Sequence, residues 1–169
     1  MKRFAVLVAA FAVIGLFAQQ ALAGSPHFIK HATTASLDGA NLVVSFKEAG
    51  LESGSTETVT VSATEAITYE CVNNGGHNPT ASNKHTFQTS GSTSGEFTAD
   101  RNGNINGQLT LFPRSAASLG FSCPSGQTVT FVSVIYSNVT ITDEDSGAFL
   151  SIGGTFTYTN PDAPPCRSC

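Results

Sequence analysis

Gln127-Thr128-Val129-Thr130-Phe131-Val132-Ser133-Val134-Ile135-Tyr136-Ser137-Asn138-Val139-Thr140-Ile141-Thr142 decides the fold class. β-branched and aromatic residues alternate with hydroxyl residues along the run, the period-2 pattern of a half-buried strand. The odd positions Val129, Phe131, Ile135, Val139 and Ile141 form one apolar face. Val132, Val134 and Tyr136 add apolar groups on the other face near its middle. Sixteen residues exceed the ~3–10 of an ordinary strand, so a bend or bulge is expected near Ser137-Asn138.

The same alternation recurs on both sides of this run. Asn41 to Phe46 is one predicted strand and Glu57 to Ala63 a second, with Val59 and Val61 on one face and Thr58, Thr60 and Ser62 on the other. Ala66 to Val72 is a third, with Ile67, Tyr69 and Cys71 on one side. Residues 73–83 read as a loop, and His85 to Thr89 as a short strand. Glu96 to Ala99 and Ile105 to Phe112 read as a hairpin around Asp100-Arg101-Asn102-Gly103-Asn104, because Asn-Gly favours the positive φ of such turns. Gly107 within it marks an expected bulge. Ala148 to Tyr158 closes the domain, broken at Gly153-Gly154.

Eight or nine short strands and no helical periodicity predict an all-β fold. The expected architecture is a two-layer antiparallel β-sandwich, Ig-like in arrangement, with an open barrel as the alternative. An antibody-type domain would carry a core Trp, and the chain has none.

Upstream, Lys2 and Arg3 precede an apolar run from Phe4 to Phe17, and Ala21-Leu22-Ala23 supplies a small-x-small cleavage pattern before Gly24. This is the layout of a secretory signal peptide. The run falls short of the ~20 apolar residues that span a bilayer, so cleavage is expected rather than a retained anchor. The chain thus divides into a leader at 1–23, one β-sandwich domain at 24–160 and a tail containing Pro and Cys at 161–169. The expected location is extracellular, without a membrane association after cleavage.

Beyond the leader, twelve acidic residues face six basic ones, a formal charge of −6. Lys30, Lys47, Lys84, Arg101, Arg114 and Arg167 are scattered singly, whereas phosphate binding needs clustered bases. Nucleic acid and anionic membrane surfaces are therefore not expected partners. Charged residues make up 12% of the chain against a typical ~25%, so Ser, Thr and Asn must carry much of the solubility.

Cys71, Cys123, Cys166 and Cys169 are an even set, which in an exported chain reads as disulfides. Three connectivities are open. Cys71–Cys123 is favoured, with Cys166–Cys169 closing a small terminal ring. The latter two lie beyond Pro161-Asp162-Ala163-Pro164-Pro165 and equally suit a link to another molecule.

Cys71-Val72-Asn73-Asn74-Gly75-Gly76-His77-Asn78-Pro79, then Asn83-Lys84 and Phe121-Ser122-Cys123-Pro124, form a recognisable layout. It resembles a group of small exported microbial proteins with a Cys-x-Asn-x-Gly-Gly-x-x-Pro…Asn-Lys…Cys-Pro pattern, over roughly residues 42 to 157. The resemblance implies an extracellular single domain with a Cys71–Cys123 bridge. It brings no catalytic residue and no activity.

No catalytic constellation, cofactor or metal site is expected from the residues. His27, His31, His77 and His85 match no zinc spacing. Cleavage before Gly24-Ser25-Pro26-His27 leaves His27 fourth, and even cleavage after Gly24 would put Pro26 second, where an amino-terminal copper site needs an amide N–H. No Ser stands in a nucleophile elbow. Cys166-Arg167-Ser168-Cys169 lacks the helix start that a redox pair uses. Asp143-Glu144-Asp145 reads as a turn, and three neighbouring carboxylates supply only some of the oxygens that calcium prefers. Asn138-Val139-Thr140 is a glycosylation sequon.

The candidate binding loop comprises Asn73, Asn74, Gly75, Gly76, His77 and Asn78, with Lys84 and His85 beside it. The expected function is a secreted noncatalytic protein with a binding or extracellular structural role, its ligand an unknown extracellular one such as a polysaccharide or cell surface. A carbohydrate- or cell-wall-binding module is the first alternative, although Tyr69, Tyr136 and Tyr158 make a thin sugar-stacking platform. A small metal-dependent enzyme using His77 and His85 is the second.

Overall fold

A computed structural model describes residues 24–73 and 83–164. The leader, residues 74–82 and the Cys166 and Cys169 pair lie outside the described residues. Nine strands form two open antiparallel sheets: β1 His27–Phe28, β2 Thr34–Asp38, β3 Asn41–Ala49, β4 Thr56–Asn73, β5 Lys84–Thr98, β6 Asn104–Leu111, β7 Gln127–Asp143, β8 Phe149–Ile152 and β9 Phe156–Thr159. In the first sheet β3 is central, with β6 on one side and β1 and β2 sharing the other. In the second the order is β5–β4–β7, and β8 and β9 follow each other along the outer edge of β7.

Alternation explains the core. Leu42, Val44 and Phe46 of β3 and Ile105, Leu109 and Leu111 of β6 point inward from the first sheet. Val59, Val61 and Ile67 of β4 meet them from the second, with Val134, Tyr136, Val139 and Ile141 of β7. The Tyr136 hydroxyl donates to Ala40 O at 2.8 Å, so a buried phenol joins the sheets where its polar end would otherwise be orphaned.

The bend expected in β7 is a β-bulge: Ser62 pairs with Thr140 but Thr64 with Ser137, and Asn138 takes φ 51°. Asn tolerates this left-handed conformation better than a β-branched residue. A second bulge lies one residue from Phe131, where Tyr69 pairs with Phe131 and Thr68 with Ser133. Each extra residue exchanges the inward and outward faces. The core set is therefore odd at Phe131, even at Val134 and Tyr136, and odd again at Val139 and Ile141. Ile135, expected beside Val139, points outward instead.

Three further expectations are corrected. The stretches 57–63 and 66–72 are one 18-residue strand, β4, so several strands are long. Residues 96–112 are not a hairpin, because β5 belongs to one sheet and β6 to the other. Asp100 makes the corner between them: its Oδ1 accepts from the amides of Asn102 at 2.8 Å and Asn104 at 2.9 Å. Those bonds hold its carboxyl below the usual range. Gly107 is no bulge either. It pairs regularly with Phe46, and a Cβ there would collide with the Phe46 ring and lie 2.7 Å from Phe97. The missing side chain makes room for the two rings, which pack edge to face at 5.1 Å.

The Cys71–Cys123 disulfide is formed, with Cα atoms 5.6 Å apart. It ties the end of β4 to the connection between β6 and β7. Among the described residues no helix is long and apolar enough to cross a membrane.

Candidate functional site

Of the predicted binding loop, the described residues include its two feet. Asn73 ends β4 and Lys84 opens β5; Asn74, Gly75, Gly76, His77 and Asn78 lie outside them. The Lys84 ammonium sits 3.8 Å from Glu70 Oε2, whose side chain is fully buried. The exposed His85 packs its ring 4.2 Å from Phe87 and 6.3 Å from Phe121. Tyr69, Phe131 and Tyr158 continue this aromatic group, with centroid separations of 5.6 and 6.2 Å. Tyr69 is buried, and its hydroxyl is spent on Arg114 O at 2.8 Å. The group fills the inner side of the long sheet at its Cys71 end.

The outward face of the same sheet is different. With the odd residues of β4 inward, Thr56, Thr58, Thr60, Ser62 and Thr64 face out. Register places Ser94, Thr60 and Thr142 in one row, Ser92, Ser62, Thr140 and Ser151 in the next, and Ser90, Thr64 and Ser137 in a third. Hydroxyls bond across strands, Thr60 to Ser94 at 2.9 Å and Thr68 to Thr86 at 2.8 Å. The exposed Asn138 of the sequon reaches Thr64 Oγ1 at 3.3 Å. Phe149, 61% exposed, extends the first row beside Thr142, and Ile135, 38% exposed, lies on the same face.

At the other end of the sandwich, carboxylates gather between the sheets. Glu48 comes from β3, Glu57 from β4, and Asp143 and Asp145 from the end of β7 and its turn. Glu48 and Asp143 are 0% and Glu57 7% exposed. Oxygens of Glu57, Asp143 and Asp145 all lie within 4.8 Å of one another. Ser55 donates to Glu57, and the Ser146 hydroxyl touches both Asp143 and Glu48. The turn is fixed by Asp145 and Ser146 amides on Asp143 Oδ1, at 2.9 and 3.3 Å, and by the Thr58 amide on Asp145 Oδ2 at 2.7 Å. Glu48 Oε2 has no hydrogen-bond donor. Burial, then the charge of Asp143, push the Glu48 carboxyl up to about 8. Among the described residues no Lys, Arg or His lies within 4.0 Å of these four carboxylates.

Glu65 is a further buried carboxyl, in mid-sheet. It lies over Gly91, where a Cβ would come within 2.7 Å of its carboxyl carbon. Burial raises its pKa, and the Arg114 charge opposes the shift.

The sequence located the 143–145 turn but missed Glu48 and Glu57. Their signal was present: Glu48 is in phase with Leu42, Val44 and Phe46, and Glu57 with Val59 and Val61. Among the described residues Glu57, Asp143 and Asp145 form the one convergent set with metal-ligand spacing, and no histidine belongs to it. No protein-family model matches the chain, and no curated protein matches it.

Proposed function

We propose that this chain is an exported, noncatalytic β-sandwich that works through the hydroxyl-lined outer face of its long sheet, in binding or in building an extracellular layer. The observation that carries this reading is the set of in-register Ser and Thr rows across β5, β4 and β7. A broad, charge-poor face that bonds its own hydroxyls sideways offers many weak donors and acceptors to a surface and no single deep site. Polymers with hydroxyls fit such a face, because both partners exchange water bonds for similar bonds. Exposed Phe149 and Ile135 add apolar patches that match the C–H faces of sugar rings. Polysaccharide binding is the second reading, and Phe149 is what favours it.

The test is co-sedimentation with insoluble polysaccharides and with cell-envelope material, comparing wild type with the Ser62→Lys/Thr140→Lys double variant. Both positions face outward, and the variant's melting temperature and circular dichroism check that it folds, since the two lysines stand opposite each other. Saturable retention of the wild type and loss of most of it in the variant are expected. Equal retention of the two would remove the face from the reading. Intact mass of the protein from its own host, beginning at Gly24, tests the export.

A further inference from the structure

We propose that Glu48, Glu57, Asp143 and Asp145 form a calcium site that joins the two sheets, with the Ser55 and Ser146 hydroxyls in its shell. The donor set is oxygen only, which selects a hard cation over zinc or copper. Glu48 stands on the first sheet and Glu57 and Asp143 on the second, so one ion would bind both layers.

The second observation is Glu48 itself, which lies outside the trio with ligand spacing. Its side chain is fully buried, and Oε2 meets no donor. The Ser146 hydroxyl lies between Glu48 Oε1 and Asp143 Oδ2 and brings the two carboxyls together. Two carboxyls that face each other are both acceptors, so a proton or a cation must stand between them. Leaving several buried carboxylates ionised without a counter-charge is strongly unfavourable, because each has lost its water. Among the described residues no basic side chain lies within 4.0 Å of them. The Glu57, Asp143 and Asp145 oxygens lie within 4.8 Å of one another, close enough for one calcium ion with bonds of about 2.4 Å to reach all three. The backbone amides that hold the Asp143–Ser146 turn organise two of these carboxylates in advance.

The site is independent of the hydroxyl face, and its test is separate. Protein dialysed against EDTA is titrated with CaCl2, and melting temperature and calorimetric heat are followed. The expected result is one calcium per chain and a rise of about 4 °C at ten times Kd. Glu48→Gln keeps the side-chain shape and can donate to Asp143, so it folds, and its affinity for calcium should fall at least about tenfold. Asp145→Asn, at an exposed position, should weaken binding in the same direction and serves if the first variant does not fold. No shift in wild type up to about 10 mM CaCl2, well above the range of weak extracellular sites, would overturn the proposal. So would unchanged affinity in the variants, which leaves Glu48 and Asp143 sharing only a proton.

Discussion

Glu65 shows how much one side chain can imply. It stands in β4 among Val61, Ala63 and Ile67, on the face that packs the core, and Gly91, diagonal to it on β5, leaves it room. Tyr69 and Tyr136 face it from within the sheet, and Arg114 supplies the nearest positive charge. Its carboxyl is raised above 4.5, so the folded state holds a proton that the unfolded chain releases. The sign follows from linkage: this contribution is fully present below pH 4.5 and is lost as pH rises through the raised value. Glu65→Gln cannot lose that proton. Its melting temperature relative to wild type should therefore climb with pH above about 4.5, as read by calorimetry from pH 4 to 8. A gap independent of pH would show that Glu65 titrates alike in both states. Glu65 fell between the two strands read at 57–63 and 66–72, although it is in phase with Val61, Ala63 and Ile67. Gly107 was not legible, because the reason for it is the pair of rings from Phe46 and Phe97, which come from other strands.

At the level of elements, the sequence pattern located most strands and misjudged how they end. Val59, Val61, Ile67 and Tyr69 alternate without a break, so 57–63 and 66–72 join into β4 because nothing between them turns the chain. The fate of 96–112 was illegible for another reason. An Asx-type turn at Asp100 looks the same whether it returns a strand to its own sheet or passes it to the facing one. In β7 the length of the run foresaw one bulge, and the second, near Val132, has no Gly or Asn to announce it. At the first bulge, Asn138→Val places a β-branched residue at φ 51°. A loss of roughly 1–3 kcal/mol is expected, measured by urea unfolding, whereas Asn138→Gly should be close to neutral. Of the predicted binding loop only the feet, Asn73 and Lys84, fall among the described residues. The carboxylate cluster was half-read, since a turn is local but the approach of Glu48 and Glu57 depends on sheets meeting.

Across the whole molecule, two open sheets are held by an apolar core and by the Tyr136–Ala40 bond, and the Cys71–Cys123 disulfide ties β4 to the connection between β6 and β7. The bridge closes a loop with a separation of 52 residues, which stabilises by ~4 kcal/mol through the restricted unfolded chain. Cys71→Ala/Cys123→Ala should lose about that much in urea unfolding, and reductant should weaken wild type while leaving the variant unchanged. β4 is moored at both limits. Near its start, Thr58 exchanges hydrogen bonds with Glu144 and Asp145, and at its finish Cys71 is covalently caught. Fraying from the tips is thereby blocked, and the four-residue strands β8 and β9 are left as the weakest seam. Water should enter this sandwich sideways, along that flank, so amide exchange there should run ahead of exchange anywhere along β4.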